Sequence, residues 1–173
     1  KYLAILSRLH NITLTDSDKA ARTLEEELTY VKLYLQMEKL RFEDHLTYSF
    51  EIDKNSNTQG LIPNMVLHTF AENAIKHGIK NKKGTGSIII SAANAEAGVL
   101  LSVKDNGIGR EAAKKYTDST KQGLVILQQQ IDLYNKLNQQ KIKLTVEDLK
   151  LNDGSAAGTV FSVFIPANYQ FNV

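Results

Sequence analysis

The composition is that of an ordered globular protein and excludes several functional classes. The chain has 173 residues, 42% of them hydrophobic, and its 21 basic and 19 acidic residues are interspersed, so no nucleic-acid-binding stripe is indicated and no nucleic-acid partner is expected. It has no cysteine, which excludes disulfides and thiolate metal sites, and no apolar run approaches the roughly 20 residues of a membrane span.

The chain begins with a pattern typical of two amphipathic helices. Apolar residues at helical spacing predict the end of a helix over residues 1–10, and a polar connection over residues 11–21. Thr23 and Glu26 then match a capping box, and an apolar stripe continues from there to about Phe42. The two helices predict a hairpin whose stripe must be buried on another helix or on a partner chain.

The first residues look like the interior of a longer protein. Lys1 stands where an initiator Met is expected and already lies within the apolar-periodic segment, so we expect the chain to be part of something longer. His10 is a candidate phosphoacceptor or ligand by residue type. No carboxylate or second histidine flanks it, so we interpret it as a solvent-facing residue.

A strand and a third helix follow. Apolar residues alternate over residues 46–52, which predicts a half-buried strand, and residues 55–60 predict a loop. Pro63 suits the first turn of a helix that reaches about Lys80. The polar face of that helix carries Thr69, Asn73, Lys76 and His77. Such a face is suited to a ligand, but a solvated surface helix shows the same pattern.

The second half of the chain predicts a hairpin and a mobile segment. Residues 87–93 and 99–104 predict two strands joined through residues 94–98. The polar residues 110–122 include Lys114, Lys115 and Lys121, and are either a lid whose lysines meet phosphates or an ordinary surface helix.

A further helix and two strands complete the predicted fold. The helix opens at Gly123, and a helix amino terminus beside a glycine is a natural phosphate site. Strands are predicted over residues 142–146 and 158–165, on either side of a turn at residues 152–154. Two helices followed by β-α-β-β-(lid)-α-β-β predict an α+β fold in which a layer of helices covers a mixed sheet.

Residues 103–110 (VKDNGIGR) carry the clearest sign of a ligand. An apolar strand runs into Asp105, which is followed by Gly107 and Gly109. A buried carboxylate can accept a hydrogen bond from an exocyclic amine, and glycines let the backbone approach a flat ligand closely. The stretch therefore predicts a nucleotide base pocket, although an ordinary turn has the same composition. A Rossmann phosphate loop fits poorly, because the third glycine is missing. Residues 72–78 (ENAIKHG) supply polar groups suited to a nucleotide–metal complex.

Taken together, these segments resemble the LytS/YehU-type sensor histidine kinases. Residues 23–42 resemble the segment that precedes the ATPase domain in that family. Residues 72–78 resemble its N box, residues 105–109 its G1 box, residues 123–124 its G2 region, and residues 158–159 the glycine-threonine pair of the last strand. Four motifs in the right order make a strong joint signal.

The resemblance implies a Bergerat (GHKL) ATP-binding fold in residues 45–173, preceded by the end of the dimerisation and phosphoacceptor helices in residues 1–44. It implies a protein histidine kinase that uses ATP and Mg²⁺ and transfers the γ-phosphoryl group to a histidine upstream of this chain, a reaction in which positioning and charge neutralisation do most of the work. A response regulator as partner, a homodimer through the helical region, and a place in the cytoplasmic portion of a membrane-anchored sensor are implied as well.

The resemblance also assigns roles to individual residues. Asp105 is expected to accept from the adenine amino group, with Thr159 nearby through a water. Asn73 is expected to hold Mg²⁺ on the phosphates, while Lys76 meets phosphate and His77 lines the nucleoside. The full expected ATP-binding set is Asn73, Lys76, His77, Asp105, Gly107, Gly109, Gly123, Leu124 and Thr159, with Asn73 also the metal ligand.

Three departures from the family pattern bear on function. No Pro-His-Phe-like phosphoacceptor motif is present, so we expect no self-phosphorylation. Thr69 stands where many histidine kinases carry another Asn, which leaves the residue that activates the acceptor unassigned, and Gln122 precedes Gly123 where a glycine is usual, which predicts a stiffer loop. A non-catalytic GHKL module that binds nucleotide or a partner is the alternative. A chaperone- or gyrase-like ATPase is disfavoured, because it needs a carboxylate at the position of Thr69.

Overall fold

The computed structural model describes residues 2–16, 19–116 and 122–171. The helices are α1 (Tyr2–Asp16), α2 (Leu24–Phe42), α3 (Val66–Asn73), α4 (Arg110–Ala113) and α5 (Gln122–Leu137), with a 3₁₀ turn at Glu43–His45 and a π-helical turn at Ala74–Ile79. The strands are β1 (Ala21–Thr23), β2 (Leu46–Ile52), β3 (Leu61–Pro63), β4 (Gly86–Ala95), β5 (Gly98–Asp105), β6 (Lys143–Lys150) and β7 (Ala156–Pro166).

Five strands form the mixed sheet that the sequence predicts, in the order β2-β4-β5-β7-β6. Strands β2 and β4 are parallel, and the other neighbours are antiparallel. Ile90, Val103 and Phe161 lie side by side across three strands and are buried, because alternate side chains of a strand point to the same face. The opposite face is polar: Ser91 and Ser102 form a hydrogen bond of 2.6 Å between their hydroxyl oxygens. One apolar face therefore remains for the helices to cover.

Helix α3 supplies the centre of the helical layer. Its Phe70 is 1% exposed and stacks on Phe161 of the sheet, with ring centroids 5.5 Å apart. Leu127 and Ile131 of α5 are buried in the same core. Truncating a buried Phe to Ala typically costs about 3–5 kcal/mol, so the Phe70 contact is a main support for the helix that carries Asn73.

The helical hairpin forms as predicted. Thr23 Oγ1 accepts from the amide of Glu26 at 3.2 Å, and the Glu26 carboxylate accepts from the amide of Thr23 at 2.8 Å, which confirms the capping box. The hydroxyls of Thr13 and Tyr30 join α1 to α2 at 2.9 Å. Val31 of α2 is fully buried within the cluster that also contains the inner face of the sheet, so hairpin and sheet share one hydrophobic core.

Helix α1 is longer than the sequence predicts. It runs to Asp16, so residues 11–16, predicted as a connection, are helical. The polar residues stay in the helix because their hydroxyls bond back to its carbonyls: Thr13 Oγ1 donates to Leu9 O at 2.9 Å and Thr15 Oγ1 to Asn11 O at 3.1 Å.

The prediction that Pro63 opens a helix is wrong. Pro63 ends β3, which pairs antiparallel with β1, opposite Ala21. Three-residue strands are too short to show periodicity, so neither β1 nor β3 was predicted. The chain instead enters α3 at Val66, directly after Met65, whose φ is 63°.

Candidate nucleotide site

A cavity of about 340 Å³ lies between the helical layer and the end of strands β5, β6 and β7. Its volume is in the range of small-ligand sites. Six residues of the expected ATP-binding set line it: Asn73, His77, Asp105, Gly109, Leu124 and Thr159. The structure therefore brings together residues that are up to 86 positions apart in sequence, from α3 to β7.

Asp105 is the most unusual group in this cavity. It is the last residue of β5, lies opposite Ile88 and Thr159 in the sheet, and is 2% exposed. Because it follows Val103 by two positions, its side chain takes a place on the buried face that an apolar residue normally fills. Burial raises the pKa of the Asp105 carboxyl to about 6, opposed by hydrogen bonds from the backbone of Gly107 and Thr159. This desolvated carboxyl is suited to accept from a ligand amine.

Two glycines hold the loop after β5 against the end of the third helix. A Cβ on Gly107 would lie 2.3 Å from Gly78 Cα, and a Cβ on Gly78 would lie 2.8 Å from Asp105 Oδ1. The amide of Ile108 donates to Gly78 O at 3.1 Å. A side chain at either glycine would force the loop away from Asp105, so the pair fixes the position of the carboxyl.

The π-helical turn Ala74–Ile79 shapes the opposite wall. The amide of Lys80 donates to Ile75 O at 2.9 Å, five residues back, so this end of the helix is wider than an α-helix. Asn73 and His77 both line the cavity. Asn73 Nδ2 donates to Thr69 O at 2.7 Å, which leaves the Asn73 side-chain oxygen for a ligand or a metal.

Three expected site residues are not part of the cavity wall. Lys76 has an exposed side chain and forms an ion pair with Glu72 at 2.7 Å. Gly107 is buried and donates to Asp105 from its backbone at 2.7 Å. Gly123 lines a neighbouring cavity, whereas Leu124, the next residue, lines this one.

Six further residues line the cavity: Gly78, Arg110, Ala113, Lys114, Val146 and Phe161. The expected ATP-binding set contains none of them, although Lys114 was predicted as a possible lid lysine and Gly78 ends the segment that resembles the N box. The alternation of the last two strands is a signal that could have identified Val146 and Phe161, which lie opposite each other in the sheet. Arg110 was visible only as part of a polar segment. Its guanidinium forms a two-pronged contact with Asp148 of β6, with Nε and Nη2 at 2.6 and 2.5 Å from the carboxylate oxygens.

The segment predicted as a lid is described only in part. Residues 110–113 form α4, and Lys114 lines the cavity while its ammonium contacts Glu111 at 2.7 Å. Lys115 is exposed. Lys121 lies outside the described residues.

The described ranges contain neither a metal-binding cluster of side chains nor a membrane-spanning helix. No group of three or more His, Cys, Asp and Glu side chains within them is placed to hold a metal ion. No helix within them is long and apolar enough to cross a membrane. A metal at Asn73 would therefore need most of its ligands from phosphates and water, which is the usual habit of Mg²⁺.

Comparison with known proteins identifies relatives along most of the chain. The model of the histidine kinase-, DNA gyrase B- and HSP90-like ATPases matches residues 61–169, and a histidine kinase model matches residues 1–46. Sensor protein LytS of Staphylococcus saprophyticus is 38% identical over 104 residues, covering 60% of this chain and 17% of that protein. Sensor histidine kinase YpdA of Escherichia coli K12 is 37% identical over 100 residues, covering 58% of this chain and 17% of that protein. The chain thus matches about a sixth of the length of these relatives, and the resemblance to LytS-type kinases is confirmed.

Solved structures confirm the fold. The histidine kinase domain of a blue-light activated histidine kinase from Erythrobacter litoralis EL346 superposes with a TM-score of 0.62 at 14% identity, covering 99% of this chain and 77% of that one. The histidine kinase ThkA, solved in complex with the response regulator protein TrrA, superposes with a TM-score of 0.54 at 19% identity, covering 96% of this chain and 48% of that one. The two-layer arrangement of helices on a mixed sheet is therefore that of histidine kinase catalytic domains.

Proposed function

Since this chain belongs to the histidine kinase-, DNA gyrase B- and HSP90-like ATPase family, we propose that it is the ATP-binding catalytic part of a two-component sensor histidine kinase. In this proposal it holds Mg·ATP and transfers the γ-phosphoryl group to a histidine upstream of residue 1. The P–O bond to the leaving ADP breaks, an imidazole nitrogen forms the P–N bond, and the bonding electron pair leaves with ADP.

The observation that carries the proposal is the environment of Asp105. A buried carboxylate at the end of a core-facing strand is costly even with its backbone hydrogen bonds from Gly107 and Thr159, and a ligand that donates a further hydrogen bond removes part of that cost. The adenine amino group is such a donor. Thr159 lies beside Asp105 in the neighbouring strand, and Val146 and Phe161 supply apolar surface for the ring.

We assign the phosphate end of the nucleotide to the opposite end of the cavity. The Asn73 oxygen is a suitable hard ligand for Mg²⁺, which takes the rest of its shell from phosphates and water. Lys114 lines the same cavity, and the amino terminus of the 16-residue helix α5 offers backbone amides at Gly123 and Leu124. Lys76 contributes only if it gives up its ion pair with Glu72.

The helical region and the partners follow from the same proposal. Residues 1–44 form the end of a dimerisation and phosphoacceptor region, and residues 45–173 the catalytic domain. The intact protein acts as a homodimer, passes its phosphoryl group to a response regulator, and carries this part in the cytoplasm beneath a membrane anchor. ThkA, solved in complex with TrrA, supports the partner class.

The proposal is tested with γ-labelled ATP, Mg²⁺ and the intact sensor. Acid-labile, base-stable phosphate is expected on a histidine upstream of residue 1, and none with Asp105→Asn. The present chain alone should bind Mg·ATP without acquiring label. If the chain binds nucleotide and the intact sensor stays unlabelled, the alternative of a non-catalytic nucleotide-binding module is correct.

A further inference from the structure

Helix α3, which carries Asn73, begins without a cap of its own. The residue before it, Met65, makes no capping hydrogen bond with its side chain, and its φ of 63° is uncommon for a residue other than glycine. The first amides of a helix have no acceptor within it and need one from elsewhere. Here the acceptor is Glu27 of α2, whose carboxylate accepts from the amide of Met65 at 3.2 Å and from the amide of His68 at 3.0 Å. The helical hairpin therefore caps the helix that carries Asn73.

The Glu27 carboxylate is fixed in its place. It is fully buried, and Nε of the buried Arg22 lies 3.2 Å from it. Burial raises the pKa of the Glu27 carboxyl, opposed by the charge of Arg22 and by the amides at the start of α3. Arg22 Nη2 also donates to Met65 Sδ at 3.0 Å. Met65 is thus held at its amide by Glu27 and at its sulfur by Arg22, and such contacts are what keep an uncommon backbone conformation in place.

A series of hydrogen bonds continues from Glu27 to the Asn73 side chain. The carbonyl oxygen of Met65 accepts from the amide of Thr69 at 2.8 Å, and the carbonyl oxygen of Thr69 accepts from Asn73 Nδ2 at 2.7 Å. Hydrogen bonds in such a series polarise one another. The Thr69 carbonyl sets the orientation of the Asn73 amide, and it lies one turn after the residue that Glu27 holds. A shift at the start of α3 would therefore move the Asn73 oxygen.

The base end of the candidate site is fixed by different contacts. Asp105 lies in the sheet, opposite Thr159. The loop after it is held against the end of the third helix by the close approach of Gly107 to Gly78 and by the hydrogen bond from the Ile108 amide to Gly78 O. These contacts join the sheet to the far end of the helix, two turns from Glu27. A change at Glu27 should therefore act on the Asn73 end of the site and leave the Asp105 end in place.

We propose that Glu27 is a positioning residue for the nucleotide site, which sets the place of the Asn73 oxygen by holding Met65 and His68 at the start of α3. The inference rests on the proposed function, in which the Asn73 oxygen binds Mg²⁺ on the phosphates. Groups that orient a metal ligand typically change metal affinity by about 10–100-fold when they are replaced. How α2 packs on α3 then acts on nucleotide binding, and this contact couples the helical region to the metal end of the site.

The test is calorimetric titration of Glu27→Gln with Mg·ATP and with adenosine. Gln has the same size, but one oxygen is replaced by an NH₂ group that cannot accept from an α3 amide. Affinity for Mg·ATP is expected to fall about tenfold, whereas affinity for adenosine stays within about twofold. In the Asn73→Ala background, Glu27→Gln should cause no further loss of Mg·ATP affinity, because it acts through Asn73.

Glu26→Gln is the matched control. It makes the same change in the neighbouring residue and weakens the capping box at Thr23, but the Glu26 carboxylate bonds Thr23 rather than α3. Both affinities should stay at their wild-type values.

Three outcomes overturn the inference and leave the proposed function intact: Glu27→Gln weakens both ligands equally, it weakens neither, or it costs the same factor in the Asn73→Ala background. A wild type that binds neither ligand overturns the proposed function. If Glu27→Gln does not fold, because Arg22 is left as a buried charge, hydrogen exchange of the wild type decides. Coupling between two sites is reciprocal, so saturating Mg·ATP should slow exchange at amides 65–69, relative to those of β4, more than saturating adenosine does. Equal exchange with the two ligands refutes the role of Glu27.

Discussion

Exchanging Asp105 for Asn is expected to stabilise the nucleotide-free protein at neutral pH, although it weakens adenine binding. Burial raises the pKa of the Asp105 carboxyl from 3.8 to about 6. As the pH rises between these values the unfolded chain loses its proton first, so the native state binds more protons and stability falls. The cost is absent below the unfolded pKa and complete above about pH 6, where a rise of that size corresponds to about 3 kcal/mol. An Asn side chain removes the charge and keeps an oxygen that can accept the hydrogen bond from the Gly107 amide.

Urea unfolding of the nucleotide-free proteins measures this effect. At about pH 7.5 the free energy of unfolding of Asp105→Asn should exceed that of the wild type by up to about 3 kcal/mol, and near pH 4 the difference should vanish. Asp148→Asn is the matched control, because this carboxylate is paired with Arg110 at the surface and its loss should cost about 0–1 kcal/mol. A wild type that is as stable as Asp105→Asn at about pH 7.5, or more stable, would refute the assignment of Asp105 as a buried charge whose backbone hydrogen bonds do not offset its desolvation.

The remaining predictions concern the ligand and the glycine contact. Asn73→Ala should lower ATP affinity mainly when Mg²⁺ is present and leave adenosine affinity nearly unchanged. Calorimetric titrations with and without chelator measure this, and equal losses of affinity in all conditions would mean that Asn73 is structural. Adenosine affinity should fall about tenfold for each pH unit below about 6, as the Asp105 carboxyl takes up a proton, and a flat profile in direct binding assays would contradict this role. Gly107→Ala should destabilise the fold by about 1–3 kcal/mol in urea unfolding, because its Cβ would meet the Gly78 backbone, and an unchanged midpoint would show that the loop can move. The chain alone should not label itself with γ-labelled ATP, and label on His10 would overturn the interpretation of that residue as a solvent-facing one.

The fold could be predicted where the sequence repeats its pattern over many residues. The alternation of β2 and the apolar runs of β4 and β5 identify long strands, and the capping box at Thr23 and Glu26 marks the start of α2. Strands β1 and β3 pair over only three residues each, so their pairing is set by long-range contacts that no local pattern shows.

Some features of the candidate site could be predicted from the sequence, and others could not. Asp105 could be singled out because a carboxylate two residues after a buried Val103 must point into the core or into a pocket. The π-helical turn could not be predicted from the sequence, because one wider turn leaves the spacing of the apolar residues almost unchanged. It alters which side chains share a face, and Lys76 ends beside Glu72 at the surface while Asn73 and His77 line the cavity.

The network around Arg22 was also beyond sequence reasoning. Arg22 reads as an ordinary basic residue before a capping box, and its acceptor Asn64 is 42 positions away. Asn64, Met65 and His68, around the start of α3, contact Arg22 and Glu27, and both side chains are buried. Burial of a charged side chain is decided by its neighbours in space, and these are not visible in the local pattern.

The central claim, that this chain binds the adenine base through Asp105, is tested most directly by calorimetric titration of the wild-type chain with Mg·ATP and with Mg·GTP. Adenine offers an amino group to the carboxylate, whereas guanine presents a carbonyl oxygen at the same ring position and would leave the buried carboxylate without a hydrogen bond from that position of the base. The account predicts saturable binding of Mg·ATP and, at the same concentrations, binding of Mg·GTP that is weaker by about tenfold or more. Equal affinity for the two nucleotides, or no binding of Mg·ATP, would contradict it.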